Sequence, residues 1–383
     1  MITFSDVSKR YPDGTVAVDQ LDLEVPTGQT TVLVGPSGCG KTTTLRMINR
    51  MVQHTEGLIT IDGRDIRDRD PVRLRRSIGY VIQQAGLFPH RTIRHNIATV
   101  PFLLGTRRRA ALHRVDELME LVGLAPELAH RYPHQLSGGQ QQRVGVARAL
   151  AADPPVLLMD EPFSAVDPVV RNSLQEELLR LQRELRKTIV FVTHDIDEAV
   201  RIGDAIAVFR PGGQLAQFEH PKRLLAEPAD EFVEGFLGYD RGVRRLAFFP
   251  AADLQLRRSA IVSGQQTAGA ALRLTAERDE PWLLATDAHE RPLGWVHEDH
   301  LAHVAADVGL AELSLVSYGH VFTVATDSLR AALDAAMLSP ASRAVGVDSE
   351  GRVLGMVRQT DLSAAIWNAG GGAVAVADAV DHG

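Results

Sequence analysis

Four runs in the first 240 residues are apolar and β-branched almost throughout: Thr30–Val34, Ile78–Ile82, Val156–Met159 and Thr188–Val192. A short run without alternation predicts a strand buried on both faces, as in a parallel sheet covered by helices. Each run leads into a polar or glycine-rich loop, so chemistry is expected at the C-terminal ends of the strands. Between Arg91 and Arg131 the pattern turns helical, most clearly in ALHRVDELMELVGL. An α subdomain inserted at about 90–150 is the expectation.

Beyond Asp240 lysine disappears, alanine rises and a repeat emerges. Residues 270–301 align without gaps to 331–362 at an offset of 61: Ala270-Ala271-Leu272 meets Ala331-Ala332-Leu333, Leu293-Gly294 meets Leu354-Gly355, and Leu301 meets Leu362. Each copy reads helix, strand, turn, strand, start of a helix. A unit that small is expected to bury its apolar face against its twin. The predicted organisation is therefore an α/β domain over 1–240, tandem repeats within 243–366 (about 250–303 and 312–366), and a Gly/Ala-rich tail, 369–383, that reads as disordered.

Composition narrows the class. Hydrophobic residues make up 45% and charged ones 23% of 383 residues, as in a soluble globular chain with ample core. A net charge of −7 gives no support to nucleic-acid binding. No stretch approaches 18 uninterrupted apolar residues, and MITFSDVSKRYPDG lacks the apolar core of a signal peptide. The single cysteine, Cys39, excludes an internal disulfide and fits a reducing compartment. The cytoplasm is the expected location, with docking through partners if the protein works at a membrane. The runs Arg73/Arg75/Arg76 and Arg107–Arg109 read as solvated faces near such partners, or as contacts to anionic lipid or nucleic acid.

The chemistry begins after the first buried run. Gly35-Pro36-Ser37-Gly38-Cys39-Gly40-Lys41-Thr42 has Walker A spacing, followed by a helix from Thr43 onward. Glycines let backbone N–H groups converge on phosphate oxygens, and the helix N-terminus adds positive potential. Lys41 is expected at the β/γ-phosphates and the Thr42 hydroxyl on Mg²⁺, with Cys39 as a small packing residue. Asp153-Pro154-Pro155 breaks a helix before the run Val156–Met159, which ends in Asp160-Glu161. In that place Asp160 would hold Mg²⁺, usually through water, and Glu161 would serve as general base. Gln83 directly ends its strand and is chosen over its neighbour Gln84 as magnesium and water contact. His194 lies two residues past Val192 on the same edge and is assigned to the γ-phosphate.

Leu136-Ser137-Gly138-Gly139-Gln140, about a hundred residues after the Walker A loop, gives the resemblance its name. The chain resembles the ATP-hydrolysing subunits of ATP-binding cassette (ABC) importers. The matching positions run in order: Tyr11, just upstream of the first strand pair, for adenine stacking; Gly35 to Thr43; Gln83; Leu136–Gln140 as signature; Asp160-Glu161; Ser164-Ala165-Val166-Asp167 as D-loop, with Val166 where leucine is usual; and His194. The resemblance implies ATP and Mg²⁺ as ligands and a head-to-tail homodimer in which Ser137 and Gly139 contact the γ-phosphate held by the other chain. Ser137-Gly138-Gly139 precedes a predicted helix (Gln140–Ala151), a second anion-binding N-terminus.

The segments IGYVIQQAGLFPHRTIRHNIATVP and EFVEGFLGYDRGVRRL resemble the osmoprotectant branch of importers, which carry glycine betaine, choline, carnitine or proline betaine. The repeat pair resembles cystathionine-β-synthase-type (CBS) modules. The implied partners are two membrane-spanning permease subunits and an extracytoplasmic binding protein, at the cytoplasmic side of the plasma membrane. Ligand-binding modules usually carry Thr or Ser three residues after the glycine of the second strand and Asp six after. The second repeat keeps Asp361, a candidate contact for a regulatory ligand, but has Arg358 at the Thr place, and the first has His297 and His300. Sensing of cyclic di-AMP or of ionic strength are the two implied roles, and 11 Arg with no Lys against 15 Asp and Glu over 243–368 does not favour a cationic patch. An importer for another small solute, such as an amino acid, and a soluble cassette ATPase are the alternative readings.

Overall fold

A computed structural model of the chain describes residues 1–83, 86–164 and 166–362. Gln84, Ala165, the last residues of the second repeat and the tail expected to be disordered lie outside the described residues. The chain divides into two compact units between Tyr239 and Asp240.

The strands of the first unit are β1 (Ile2–Arg10), β2 (Val16–Val25), β3 (Thr30–Val34), β4 (Glu56–Ile61) and β5 (Arg64–Asp65). They continue as β6 (Ile78–Val81), β7 (Val156–Asp160), β8 (Thr188–Val192), β9 (Ala205–Arg210) and β10 (Gln214–Glu219). One sheet has the order β2-β1-β4-β5 and is antiparallel. The other runs β10-β9-β3-β8-β7-β6, parallel from β9 to β6 with the antiparallel β10 at its edge. Every residue of β3, β7 and β8 is buried, which is why these strands read as continuous apolar runs. β6 stops one residue short of Ile82, and β7 extends one further to include Asp160. Phe4 and Leu21 from the first sheet, Leu33 and Phe209 from the second, and Leu45 and Ile48 from the helix Lys41–Ile48 share one core.

Helices fill most of 93–130: Ile93–Ile97, Thr99–Leu103 and Arg108–Leu121, with a 3₁₀ turn at Pro126–His130. The longest buries Ala111, Val115, Leu118 and Met119, a stripe at helical spacing. Among the described residues no helix is long and apolar enough to cross a membrane.

The second unit holds two three-stranded sheets. The first consists of β11 (Ile261–Ser263), β12 (Trp282–Thr286) and β13 (Pro292–His297), the second of β14 (Val321–Thr323), β15 (Arg343–Val347) and β16 (Val353–Arg358). In each, a parallel pair is followed by an antiparallel one. A helix, Ala268–Arg278 or Leu329–Met337, links the parallel strands. The offset of 61 superposes β12 on β15 and β13 on β16. The short leading strands, β11 and β14, are additions to the expected helix-first order; three residues are too few to alternate visibly.

The links that precede the repeats are exchanged. Phe249, Ala251 and Arg257, ahead of β11, make main-chain hydrogen bonds with Leu329, Asp327 and Met356 of the second repeat. Val308, Leu310 and Val316, ahead of β14, bond Ala268, Gln266 and Trp295 of the first repeat. Glycine is required where each link crosses: a Cβ on Gly294 would lie 2.6 Å from Leu315 Cβ, and one on Gly355 2.7 Å from Leu256 Cβ.

The repeats differ at one equivalent pair. Trp282 and His297 face each other across β12 and β13 with rings 4.7 Å apart. Their counterparts are Arg343 and Arg358, like charges directly opposite on β15 and β16, an unfavourable pairing by itself. Glu280 of the first repeat resolves it, accepting hydrogen bonds from Arg343 and, at 2.5 Å, from Arg358. Burial by itself would push the Glu280 carboxyl up, but the two guanidinium hydrogen bonds outweigh it and hold the group below the ordinary 4.5.

Candidate active site

The loop between β3 and the helix Lys41–Ile48 is shaped by its glycines. Gly40 caps the helix with φ 93°, and a Cβ there would lie 2.0 Å from the Ala17 carbonyl oxygen, so only glycine fits. The cap starts the helix at Lys41, two residues earlier than the sequence suggested. Ser37 and Gly38 are exposed at the tip; Pro36, Thr42 and Thr43 are half-buried; Gly35 and Cys39 are buried. Lys41 folds back into the loop, and its Nζ donates to the carbonyls of Gly35 (2.7 Å) and Pro36 (2.8 Å) and lies 3.5 Å from Cys39 Sγ. The Cys39 thiol therefore packs inside the loop.

β3, β8, β7 and β6 are neighbours in the sheet, so the loops at their C-terminal ends meet at one edge. Thr42 Oγ1 donates to Asp160 Oδ1 at 2.8 Å. The other oxygen of Asp160 faces the Tyr80 hydroxyl at 3.3 Å and the Arg46 guanidinium at 3.4 Å. Burial pushes the Tyr80 phenol up, which keeps it a neutral donor. Glu161 takes a left-handed φ of 45°, rare for this residue type, with its N–H bonded to the Val192 carbonyl. That turn brings its carboxylate 3.4 Å from Gln83 Nε2 and 3.3 Å from His194 Nδ1. Four separate loops, ending β3, β6, β7 and β8, thus bring Lys41, Thr42, Gln83, Asp160, Glu161 and His194 to one place.

Several predicted positions sit elsewhere or are otherwise engaged. Tyr11 follows β1 rather than preceding the first strand pair: it opens the β1–β2 turn, its N–H bonded to the Thr15 carbonyl and its ring under Lys9 Nζ. The signature helix starts at Gly138 rather than Gln140 because Ser137 and Gln140 form a reciprocal capping box. Ser137 and Gly138 are exposed, while Gly139 is buried against Val170. Asp167 caps the helix Pro168–Leu185 by accepting from Val170 N at 3.0 Å. In the other unit, Asp361 lies 3.6 Å from Arg257 in an ion pair.

Residues 18–164 match the family described as ABC transporter. The glycine betaine/carnitine/choline transport ATP-binding protein OpuCA of Bacillus subtilis is 45% identical over 326 residues, covering 83% of this chain and 86% of that protein. The chain belongs to the ABC transporter family. The osmoprotectant import ATP-binding protein OsmV of Salmonella typhimurium is 46% identical over 90% of this cassette chain and 89% of its own length. Among solved structures, the ATP-binding cassette MJ0796, described as dimeric and bound to ADP and Pi after hydrolysis, aligns with a TM-score of 0.52 at 35% identity, covering 58% of this chain and 99% of that one.

As a member of this family the chain is an ATP hydrolase, and its α/β unit is a nucleotide-binding domain. Sequence reasoning did not single out Arg46 and Tyr80, which hold Asp160. Arg46 stands four residues after Thr42, on the same helix face, and Tyr80 precedes Gln83 by three, so spacing from known site residues was the available signal.

Proposed function

We propose that this cassette powers import of quaternary-amine osmoprotectants such as glycine betaine, choline or carnitine. The observation that carries the reading is the meeting of Thr42, Asp160, Glu161, Gln83 and His194 at one sheet edge, in a chain similar along most of its length to ATP-binding proteins of such importers. In this reading Gly35 to Thr43 cradle the phosphates of ATP, with Lys41 exchanging its carbonyl contacts for phosphate oxygens, and Tyr11 stacks on the adenine. The Thr42 hydroxyl and Asp160 carboxylate, 2.8 Å apart, offer the hard oxygen donors that Mg²⁺ takes, with Gln83 beside them. The ion would neutralise charge on the β- and γ-phosphates when bound. Glu161 takes the proton of the attacking water, Gln83 orients that water, and His194 donates to the γ-phosphate.

Two chains would complete the site, since Ser137, Gly138, Gly139, Gln140 and Asp167 would meet nucleotide held by a partner copy. At the cytoplasmic face of the membrane, the chains would couple hydrolysis to transport through two membrane-spanning permease subunits supplied by an extracytoplasmic binding protein. The second unit, read as a CBS-type pair, regulates that coupling. Ionic strength suits it better than cyclic di-AMP, because Asp361 and Arg358 are already paired within the chain.

The test is uptake of radiolabelled betaines, choline, carnitine and proline by cells lacking the gene. Complementation by the native chain and not by Glu161→Gln, for quaternary amines only, is the expected result. Restored uptake of an amino acid with no effect on betaines would overturn the substrate assignment.

A further inference from the structure

Behind Glu161 and His194 lies a cavity of about 40 Å³ lined by both residues and by Ser164, Arg171, Thr193 and Glu198, among others. By that measure it holds one to a few waters, at about 10–15 Å³ each. Arg171, one turn into the helix Pro168–Leu185, is the side chain that spans it. One end of its guanidinium donates to the Val166 carbonyl at 3.2 Å, and the other lies 3.9 Å from the Asp195 carboxylate. Its Nε–H is buried and meets no acceptor among the described residues. Asp195 follows His194 directly and caps the next helix through Asp197 N and Glu198 N. Glu198 is buried, accepts from Gln175, and is pushed up by its burial.

We propose that Arg171 is a positioning residue of the hydrolytic site. It joins the loop that follows β7, which begins at Glu161, to the loop that follows β8, which carries His194. β7 and β8 are paired up to Asp160 and Val192, and past that ladder the 3.3 Å between base and histidine is set, among the described residues, by the Glu161 N–H to Val192 bond. Arg171 supplies the second tie, on the far side of the cavity, and its free Nε–H anchors a water between the loops. Misplacing catalytic groups by about 1 Å can reduce a rate by about 100-fold, so a strut of this kind acts on turnover and leaves nucleotide binding alone. The proposal rests on Glu161 and His194 acting in hydrolysis.

The experiment compares full-length Arg171→Ala, Arg171→Lys, Asp195→Asn and the double variant Arg171→Ala/Asp195→Asn with native protein. Steady-state kcat and KM, calorimetric ATP affinity and thermal midpoint are measured for each. Arg171→Ala should lower kcat about 10-fold, with ATP affinity within twofold. Arg171→Lys should recover part of the loss through its ion pair. Asp195→Asn keeps the helix cap and should lower kcat several-fold, with little further loss in the double variant. An unchanged kcat in Arg171→Ala, or equal losses of kcat and ATP affinity, overturns the proposal. If Arg171→Ala fails to fold, an unchanged kcat in Asp195→Asn does the same. Glu161→Gln separates the two levels: turnover there would sink the assignment of the site itself, whereas a dead Glu161→Gln beside a normal Arg171→Ala sinks only the strut.

Discussion

Lys41 and Glu280, one in each unit, are both 5% exposed, yet their partners differ in kind. Lys41 is held by neutral main-chain carbonyls of its own loop. Glu280 is held by two guanidiniums from the other repeat. An anion arriving at the first unit displaces weak contacts and gains a full charge. One arriving at the second would have to displace a carboxylate from charge-assisted hydrogen bonds, roughly twice as strong as neutral ones. A buried charge left with neutral partners marks a place made for a ligand, and a buried charge already neutralised marks a place made for structure.

The comparison breaks most visibly at Glu161. Glu161→Gln should reduce hydrolysis by about 100- to 10,000-fold while binding ATP as before, since the phosphate loop is untouched. Turnover and calorimetry on the same preparation check it, and near-native turnover would remove Glu161 from the reaction. The counterpart in the second unit is Glu280→Ala, which leaves two guanidiniums unpaired and should destabilise that unit by about 3–5 kcal/mol. All three tryptophans, Trp282, Trp295 and Trp367, lie beyond Asp240, so denaturant unfolding followed by tryptophan emission reports on this unit. Because the Glu280 carboxyl titrates below 4.5 in the folded chain, its contribution is complete above that pH and is lost as pH falls through the lowered value. Acid destabilisation below about 4.5 should therefore be shallower in Glu280→Gln.

Lys41→Ala sharpens the contrast at smaller scale. Loss of a charged hydrogen bond to phosphate, about 1.5–3 kcal/mol, should weaken ATP binding by about 10- to 100-fold with no change in the tryptophan-monitored transition. An unchanged ATP affinity would mean that Lys41 keeps its carbonyl partners when nucleotide binds. The smallest effect is expected from a chain ended after Asp240. Its basal hydrolysis should stay within about twofold of native, because every residue at the sheet edge precedes that point. A several-fold change would show that the two units do not act separately in hydrolysis.

Much of this arrangement is legible in sequence because it is local. The buried strands announce themselves as unbroken apolar runs; Asp160 ends its strand, and Lys41 and His194 follow theirs within a few residues. The repeat is legible through its offset alone. What escapes the sequence depends on contacts between distant positions or on pieces too short to carry a period. Glu280 meets Arg343 and Arg358 from 63 and 78 positions away, and Arg171 reaches Asp195 across two strand-end loops. β11 and β14 have three residues each, and Tyr11 was misplaced because β1 alternates weakly and hid the strand before it.

The exchanged links of the second unit carry a consequence for how it can be cut. A gene fragment that stops after the first repeat keeps Phe249, Ala251 and Arg257 but discards their partners, and it also loses Val308, Leu310 and Val316, which seal the repeat it retains. Neither half is a module that can be moved, duplicated or deleted by a single crossover near residue 305. A library of truncations should contain stable proteins ending before the pair or after it, with a gap between.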